Sequence, residues 1–269
     1  MTNRVDGKKI ALEIEQNLRS ENDLSPQLEI IQVGKNPASN KYIEEKLAAS
    51  KRVGFKASLN QFSENIEQDK LIEKIRQLNK DNEVNGILIQ LPLPDHINND
   101  HVFNAVLPQK DVDGLTPLNL GKTLRGEKHL IPSSVKAIEK ILEYEKIDLE
   151  GKTVTIINNS NLIGKPLSMV LTKKGATTTL CHRKTENLKK HTREADIIVT
   201  ATGQPGLLEK DMVTEDTFVI DAGYGPGATS EAEKVENKVA NISPEPGGVG
   251  PITVAMTLKN LLKCYRLQN

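Results

Sequence analysis

The sequence predicts an α/β protein built as two successive parallel-sheet domains. Three observations carry this. Helical and strand-like apolar patterns alternate through residues 7–89 and again from 153 to 221. Between the two runs, residues 91–132 are rich in Pro, Gly and Asn, so a boundary falls near 121–150. Charge also divides the 269-residue chain: residues 1–120 carry 15 Lys+Arg and 18 Asp+Glu, residues 121–269 carry 21 and 18, and the totals are 36 and 36. The basic second half leans towards an anionic ligand. The expected domains are 1–120 with 251–269, and 121–250.

Each element has a local reason. Ile10, Ile14 and Leu18 are four apart, which predicts a helix over 7–20. Residues 27–33 (Gln-Leu-Glu-Ile-Ile-Gln-Val) read as a strand. Asn36 followed by Pro37 is an N-cap with proline at the first helical position, opening a helix that runs to Val53 and ends at Gly54. Residues 55–61 form a strand, 66–79 a helix with Ile66, Leu71, Ile75 and Leu78 on one side, and Ile87-Leu88-Ile89 a buried strand. A helix is expected at 133–145. Gly151 then opens a second alternation, with strands at 153–158, 177–181, 197–201 and 217–221 and helices at 165–174 and 186–193. A last helix is expected over 251–264.

Composition excludes several classes. Net charge is zero, and aromatics are four Phe, four Tyr and no Trp. That argues against a nucleic-acid footprint and against base-stacking platforms. No apolar run approaches the ~20 residues that cross a bilayer, so neither nucleic acid nor membrane is an expected partner. Met1–Asp6 has no apolar signal core, and the cytoplasm is the expected location. Cys181 and Cys264 have no metal or disulfide spacing, and the five histidines form no zinc pair, so no metal is expected.

In the second half, Thr153–Ile157 leads into Asn158-Asn159-Ser160-Asn161-Leu162-Ile163-Gly164-Lys165-Pro166. A strand, a small polar turn and a helix start make a phosphate cradle of the Rossmann kind, because free N–H groups at a helix start favour an anion. The Gly-x-Gly-x-x-Gly fingerprint is absent and only Gly164 remains, so an ordinary polar loop is also open. After the next strand, Cys181-His182-Arg183-Lys184 offers adjacent cations and no acid. NADP therefore fits better than NAD, since a cation suits a 2′-phosphate; a solvated basic turn is the plainer reading. Thr202 and Gly203 end another strand, where open α/β sheets bind ligands.

In the first half, Tyr42 and Lys46 are four residues apart on one helix face. An aromatic beside an amine can stack a flat ring and present a proton donor, although such a pair is more often surface decoration. Gln90 lies at a strand's carboxyl end, before Leu91, Pro92, Leu93 and Pro94. Asp111 and Asp113 flank Val112; a carboxylate there can accept from an amino-pyrimidine edge, or simply bond its own turn. Residues 244–252 hold three prolines and three glycines, a density that points to a binding loop.

In this order, the segments Val33–Ser39 with Tyr42 and Lys46, Gly86–Pro94, Lys110–Gly114 and Pro246–Pro251 resemble the bifunctional methylenetetrahydrofolate dehydrogenase/methenyltetrahydrofolate cyclohydrolase family. The resemblance covers nearly the whole chain. It implies two α/β domains with a folate cleft between them, NADP on the Rossmann-like second domain, a C-terminal helix returning to the first, and a homodimer. It implies that Tyr42 stacks on the folate, Lys46 is the catalytic lysine tuned by Gln90, and Asp113 holds the pterin edge. Leu91, Pro92, Gly248 and Pro251 would shape the folate side. Asn158, Asn159, Ser160, Ile163, Gly164, His182, Arg183, Thr202 and Gly203 would serve the cofactor.

The chain departs from the family pattern at several places. Asn158-Asn159-Ser160 replaces Gly-Arg-Ser, and Cys181-His182-Arg183 replaces Cys-His-Ser, so Arg183 is expected to restore the missing cation. Pro132-Ser133-Ser134-Val135 replaces Pro-Cys-Thr-Pro, and Asp221-Ala222-Gly223-Tyr224-Gly225 replaces a Val-Gly-Ile-Asn ending. Alternatives left open are a monofunctional cyclohydrolase, an NAD-preferring or shikimate-type dehydrogenase, and a non-catalytic folate or nucleotide module.

Overall fold

A computed structural model describes residues 2–21, 24–127, 129–223 and 230–269. Tyr224 and Gly225, named above, lie outside the described residues.

In chain order, β1 (Asn3–Arg4) precedes α1 (Gly7–Arg19), whose buried Ile10, Ile14 and Leu18 are the predicted stripe. Then come β2 (Gln27–Val33), α2 (Pro37–Val53) and β3 (Lys56–Phe62). Asn36 caps α2 as predicted: its Oδ1 accepts the Ser39 N–H at 3.1 Å, a bond of the kind worth about 1 kcal/mol. Gly54 ends α2 at φ +81°, where a side chain would be strained. Next are α3 (Gln68–Lys80), β4 (Gly86–Ile89), α4 (Asn99–Ala105), α5 (Pro117–Leu124) and α6 (Ser133–Tyr144). The second alternation is β5 (Thr153–Ile157), α7 (Gly164–Lys173), β6 (Thr177–Cys181), α8 (Leu188–Thr192), β7 (Ile197–Thr200), β8 (Phe218–Asp221), β9 (Asn241–Ser243) and α9 (Val249–Gln268).

Five of these differ from expectation. The stretch 91–132 holds two short helices, α4 and α5; its prolines and asparagines start helices rather than prevent them. Asn98 caps α4, its Oδ1 accepting the His101 N–H at 3.1 Å, and α5 begins with Pro117. The strands β1 and β9 are too short to show an alternating pattern. Helix α9 begins at Val249, so Pro251 sits inside its first turn, where a missing N–H costs nothing.

The chain forms two compact units. One comprises residues 1–11, 123–127 and 134–253. Its six-stranded sheet runs β1-β9-β8-β7-β5-β6, with every pairing parallel. The first residues join this unit because Asn3 and Arg4 pair with Asn241 and Ile242 of β9. Its core includes Ile157, Cys181, Ile198, Leu208, Val219 and Ile242. The chain steps from β5 outward to β6, then returns across β5 to β7. That reversal opens a ligand crevice at the carboxyl ends of β5 and β7.

The other unit comprises residues 12–122, 128–133 and 254–269. Its parallel sheet is β3-β2-β4, with Leu28 level with Ala57 on one side and Gly86 on the other. Leu71, Ile75 and Leu78 of α3 pack on Ile31, Val33, Ile87 and Ile89. Each such side chain stabilises the unit by roughly 1.5–3 kcal/mol on burial.

Candidate active site

Helix α2 carries Tyr42 and Lys46 on one face, and β4 ends at Ile89, one residue before Gln90. Lys46 is only 6% exposed, and its ammonium donates to Gln90 Oε1 at 2.9 Å. It also lies 5.7 Å from the centre of the Tyr42 ring, within cation–π range. Gln90 cannot turn freely: its backbone N–H is held by the Ile31 carbonyl at 2.8 Å and its Nε2 donates to the Leu91 carbonyl at 3.0 Å. The amide oxygen is thereby fixed towards Lys46. Ser39 Oγ also donates to the Leu91 carbonyl at 3.0 Å, tying the Leu91-Pro92 exit to the first turn of α2.

The segment Lys110–Gly114 supplies the carboxylate. Asp111 bridges in parallel to Ile87 of β4, and the chain then turns through Val112 and Asp113, closed by the Gly114 N–H donating to the Asp111 carbonyl at 3.2 Å. The neighbours of Asp113 are anchors. The buried Lys110 ammonium donates to the Leu78 carbonyl at 3.2 Å and the Asp81 carbonyl at 2.6 Å, where the end of α3 favours a cation. Buried Asp111 accepts the Thr116 N–H at 2.7 Å and the Asn119 amide at 2.9 Å, so it bonds its own turn. Of the two aspartates, Asp113 is the one whose field reaches Lys46.

Burial pushes the Lys46 ammonium below the usual lysine range, while Asp113 and then Glu45 pull it back up. Burial pushes the Asp113 carboxyl up; Lys46 opposes this, Asp111 adds to it, and a hydrogen bond with Ser133 opposes it. A lysine and a carboxyl, each moved towards its neutral form, suit proton transfer near neutral pH.

In the nucleotide unit, Asn158 organises the turn between β5 and α7. Its Oδ1 accepts from the Ser160 N–H at 2.8 Å, the Ser160 hydroxyl at 2.7 Å and the Gly164 N–H at 3.1 Å. Its Nδ2 donates across the crevice to the Ala201 carbonyl at 2.6 Å. The N–H groups of Ile163 and Lys165 are also used within the turn, by Ser160 Oγ and the Ser160 carbonyl. Those of Asn159, Asn161 and Leu162 are not among these bonds. A Cβ on Gly164 would lie 1.8 Å from the Asn158 carbonyl oxygen, so only glycine fits there. These features suit an anion at the turn.

At the end of β6, His182 Nδ1 accepts the Lys184 N–H at 3.1 Å, which leaves the ring proton on Nε2. Arg183 is exposed and makes no ion pair among the described residues. Gly203 has φ +73°. The Thr202 and Gly203 N–H groups both donate to Oε1 of Glu231, at 2.8 and 2.6 Å, and the Thr202 hydroxyl donates to its Oε2 at 3.0 Å. Glu231 is 1% exposed and its carboxyl is pushed up, mainly by burial.

Gly248 and Pro251 belong to this same unit. A Cβ on Gly248 would lie 2.3 Å from Ser243 Oγ, and one on Gly7 would lie 1.9 Å from the Gly248 carbonyl oxygen. The 244–251 loop therefore depends on glycine on both sides of the contact. Among the described residues, no group of three or more His, Cys, Asp or Glu is arranged to hold a metal. None of their helices is long and apolar enough to cross a membrane.

The structure thus brings Tyr42, Lys46, Gln90, Leu91 and Asp113 into one unit, and Asn158, Ser160, Gly164 and Ala201 round one crevice in the other. The sequence reading missed Glu231 and Asn260. Glu231 sits near no recognisable motif. Asn260 had a signal: it interrupts the apolar run of α9 and is fully buried.

Comparisons with known proteins match both halves of the chain. Residues 5–113 match the family model of the tetrahydrofolate dehydrogenase/cyclohydrolase catalytic domain, and residues 132–269 match that of its NAD(P)-binding domain. The bifunctional protein FolD of Sulfurihydrogenibium sp. is 42% identical, over 97% of each chain. The crystal structure of the bifunctional FolD dehydrogenase/cyclohydrolase from Campylobacter jejuni superposes with a TM-score of 0.94 at 38% identity, covering 100% of both chains. A Trypanosoma brucei methylenetetrahydrofolate dehydrogenase-cyclohydrolase, complexed with NADP cofactor and inhibitor, superposes at 0.93 with 29% identity, covering 99% of this chain and 98% of that one.

Proposed function

The chain belongs to the tetrahydrofolate dehydrogenase/cyclohydrolase family, and from that premise we propose which of its residues carry the family's two reactions. The enzyme oxidises 5,10-methylenetetrahydrofolate to 5,10-methenyltetrahydrofolate with NADP and hydrolyses that product to 10-formyltetrahydrofolate. When bound, NADP accepts the hydride that leaves the methylene carbon.

Lys46 is the catalytic lysine. The observation that carries this reading is its burial together with its bond to Gln90. In the second reaction water adds to the methenyl carbon and loses a proton. A proton must then reach the ring nitrogen as its bond to that carbon breaks. A desolvated amine can take the first proton and return it to the second site. Gln90, with no charge, orients the amine without holding it protonated. Tyr42 offers its ring face to the folate, with Leu91 and Pro92 stiffening the strand exit beside it. Asp113 accepts from the amino-pyrimidine edge of the pterin. Gly248 and Pro251 form the folate-side loop.

Asn158, Asn159, Ser160, Ile163 and Gly164 would hold the cofactor phosphates, and His182 and Arg183 its 2′-phosphate. Thr202 and Gly203 line the end of β7. Support comes from the Gly164 cradle and the exposed cation of Arg183. We also infer a cytoplasmic homodimer without nucleic-acid or membrane partners. Two buried free cysteines fit a reducing compartment. The edge strand β6, with exposed Leu180, offers an open side for pairing.

A coupled assay tests the whole reading. Purified protein given methylenetetrahydrofolate and NADP should form NADPH and then 10-formyltetrahydrofolate. NADPH formation without the second product would remove Lys46 from its role in hydrolysis.

A further inference from the structure

We propose that Asn260, fully buried on α9, is the positioning residue that sets the Asp113 carboxylate for the substrate's amino-pyrimidine edge. The inference rests on the assignment of Asp113 above and adds a residue that touches neither substrate nor cofactor.

Two backbone segments flank Asp113, and Asn260 holds both. Its Nδ2 lies 2.7 Å from the Val112 carbonyl oxygen, immediately before Asp113, and 2.9 Å from the Ile131 carbonyl oxygen. Its two N–H groups thus satisfy one carbonyl on each segment. The same nitrogen is 3.4 Å from Ser133 Oγ, and Ser133 is the hydrogen-bonding neighbour of Asp113. Ser133 Oγ also lies 3.3 Å from the Val112 carbonyl, closing the ring of contacts.

Gly114 has φ +64°, and a Cβ there would be 2.9 Å from both the Leu130 oxygen and the Ile131 carbonyl carbon, so the two segments lie backbone to backbone. That close approach leaves the Val112 and Ile131 carbonyls facing α9. Gly86 of β4 lets the helix come near enough: a Cβ there would lie 2.4 Å from Val112 Cγ1 and 2.6 Å from Leu261 Cδ1. An apolar residue at 260 would take the amide donor from both carbonyls and leave Val112 with only the longer 3.3 Å bond from Ser133, and the loop would move to find water. Displacing Val112 moves the adjacent Asp113. A shift of about 1 Å at a binding carboxylate is enough to weaken substrate binding severely.

A purely structural asparagine would change stability alone. A positioning asparagine changes the apparent affinity of the folded enzyme for folate. The test therefore compares Asn260→Asp, Asn260→Ser, Ser133→Ala, Asp113→Asn and Leu258→Ala in the full-length enzyme, at a temperature where each is folded. Leu258 is a buried residue of the same helix and serves as the stability control. Steady-state KM for methylenetetrahydrofolate, kcat, and calorimetric Kd for NADP are measured for each.

Both Asn260 variants should raise the folate KM by about tenfold, with kcat within about threefold and NADP binding unchanged. Ser133→Ala should raise it less. Leu258→Ala should lower Tm without moving KM. If Asp113→Asn raises KM while Asn260→Asp and Asn260→Ser leave it within about twofold, the inference is overturned. If Asp113→Asn itself leaves KM unchanged, the assignment of Asp113 falls and the inference falls with it. Should Asn260→Asp not fold, Asn260→Ser and Ser133→Ala carry the same comparison.

Discussion

The Lys46 ammonium donates to Gln90 Oε1 at 2.9 Å, and Gln90 in turn is held by its own bond to the Leu91 carbonyl at 3.0 Å. A buried amine paired with a neutral amide keeps a lowered proton affinity; paired with a carboxylate it would not. Gln90→Glu should therefore move the Lys46 limb of the cyclohydrolase pH–rate profile to higher pH. Gln90→Ala, which removes the acceptor, should move it lower. The check is kcat/KM against pH for all three proteins; a limb unmoved in both variants would dissociate Gln90 from Lys46.

Asp113 carries the opposite shift. Its folded carboxyl holds the proton more tightly than in the unfolded chain, because burial outweighs the pull of Lys46. Between the ordinary carboxylate value and the raised folded one, the folded state binds more protons, so stability falls as pH rises through that window. Asp113→Asn removes that loss. Its Tm relative to wild type should therefore rise as pH is taken upward through the window, while folate affinity drops. A Tm difference independent of pH would contradict the sign.

The phosphate turn admits no side chain at Gly164, where a Cβ would meet the Asn158 carbonyl oxygen at 1.8 Å. Gly164→Ala should cost about 1–3 kcal/mol of stability. It should also weaken NADP binding by about tenfold or more, because the turn must open. Thermal unfolding and calorimetric titration with NADP measure the two effects.

Arg183 follows β6 with an exposed guanidinium in no described ion pair. A charge-assisted bond to a 2′-phosphate is worth about 1.5–3 kcal/mol, so Arg183→Ala should raise the NADP-to-NAD KM ratio by about tenfold or more. An unchanged ratio would assign the 2′-phosphate to other groups.

The centre of the Tyr42 ring stands 5.7 Å from the Lys46 ammonium. Tyr42→Phe keeps the ring and should leave the folate KM nearly unchanged; Tyr42→Ala should raise it about tenfold. Equal effects would point to the hydroxyl rather than the ring face.

Much of this was legible in residue order. Pro37 after Asn36 announced α2, and the apolar spacing announced α1 and α3. Those signals are local, set by caps and by one buried face. The Tyr42–Lys46 pair was visible because helical spacing is a local rule too. The long-range contacts were not. Glu231 reaches Thr202 and Gly203 across 29 and 28 residues, and Asn260 reaches Val112 across 148. Neither spacing follows from any periodicity; both depend on how strands and helices close into a sheet-based unit. The strand β9 escaped notice for a related reason, since three residues acquire strand geometry only by pairing with β8 and β1.

The central claim is that one buried lysine carries the hydrolysis. The most direct measurement is the rate at which Lys46→Met converts methenyltetrahydrofolate to 10-formyltetrahydrofolate, alongside the Kd for the same substrate. The account predicts a rate lower by about 10²–10⁴-fold, with binding held within about threefold. A variant hydrolysing within about threefold of wild type would contradict it.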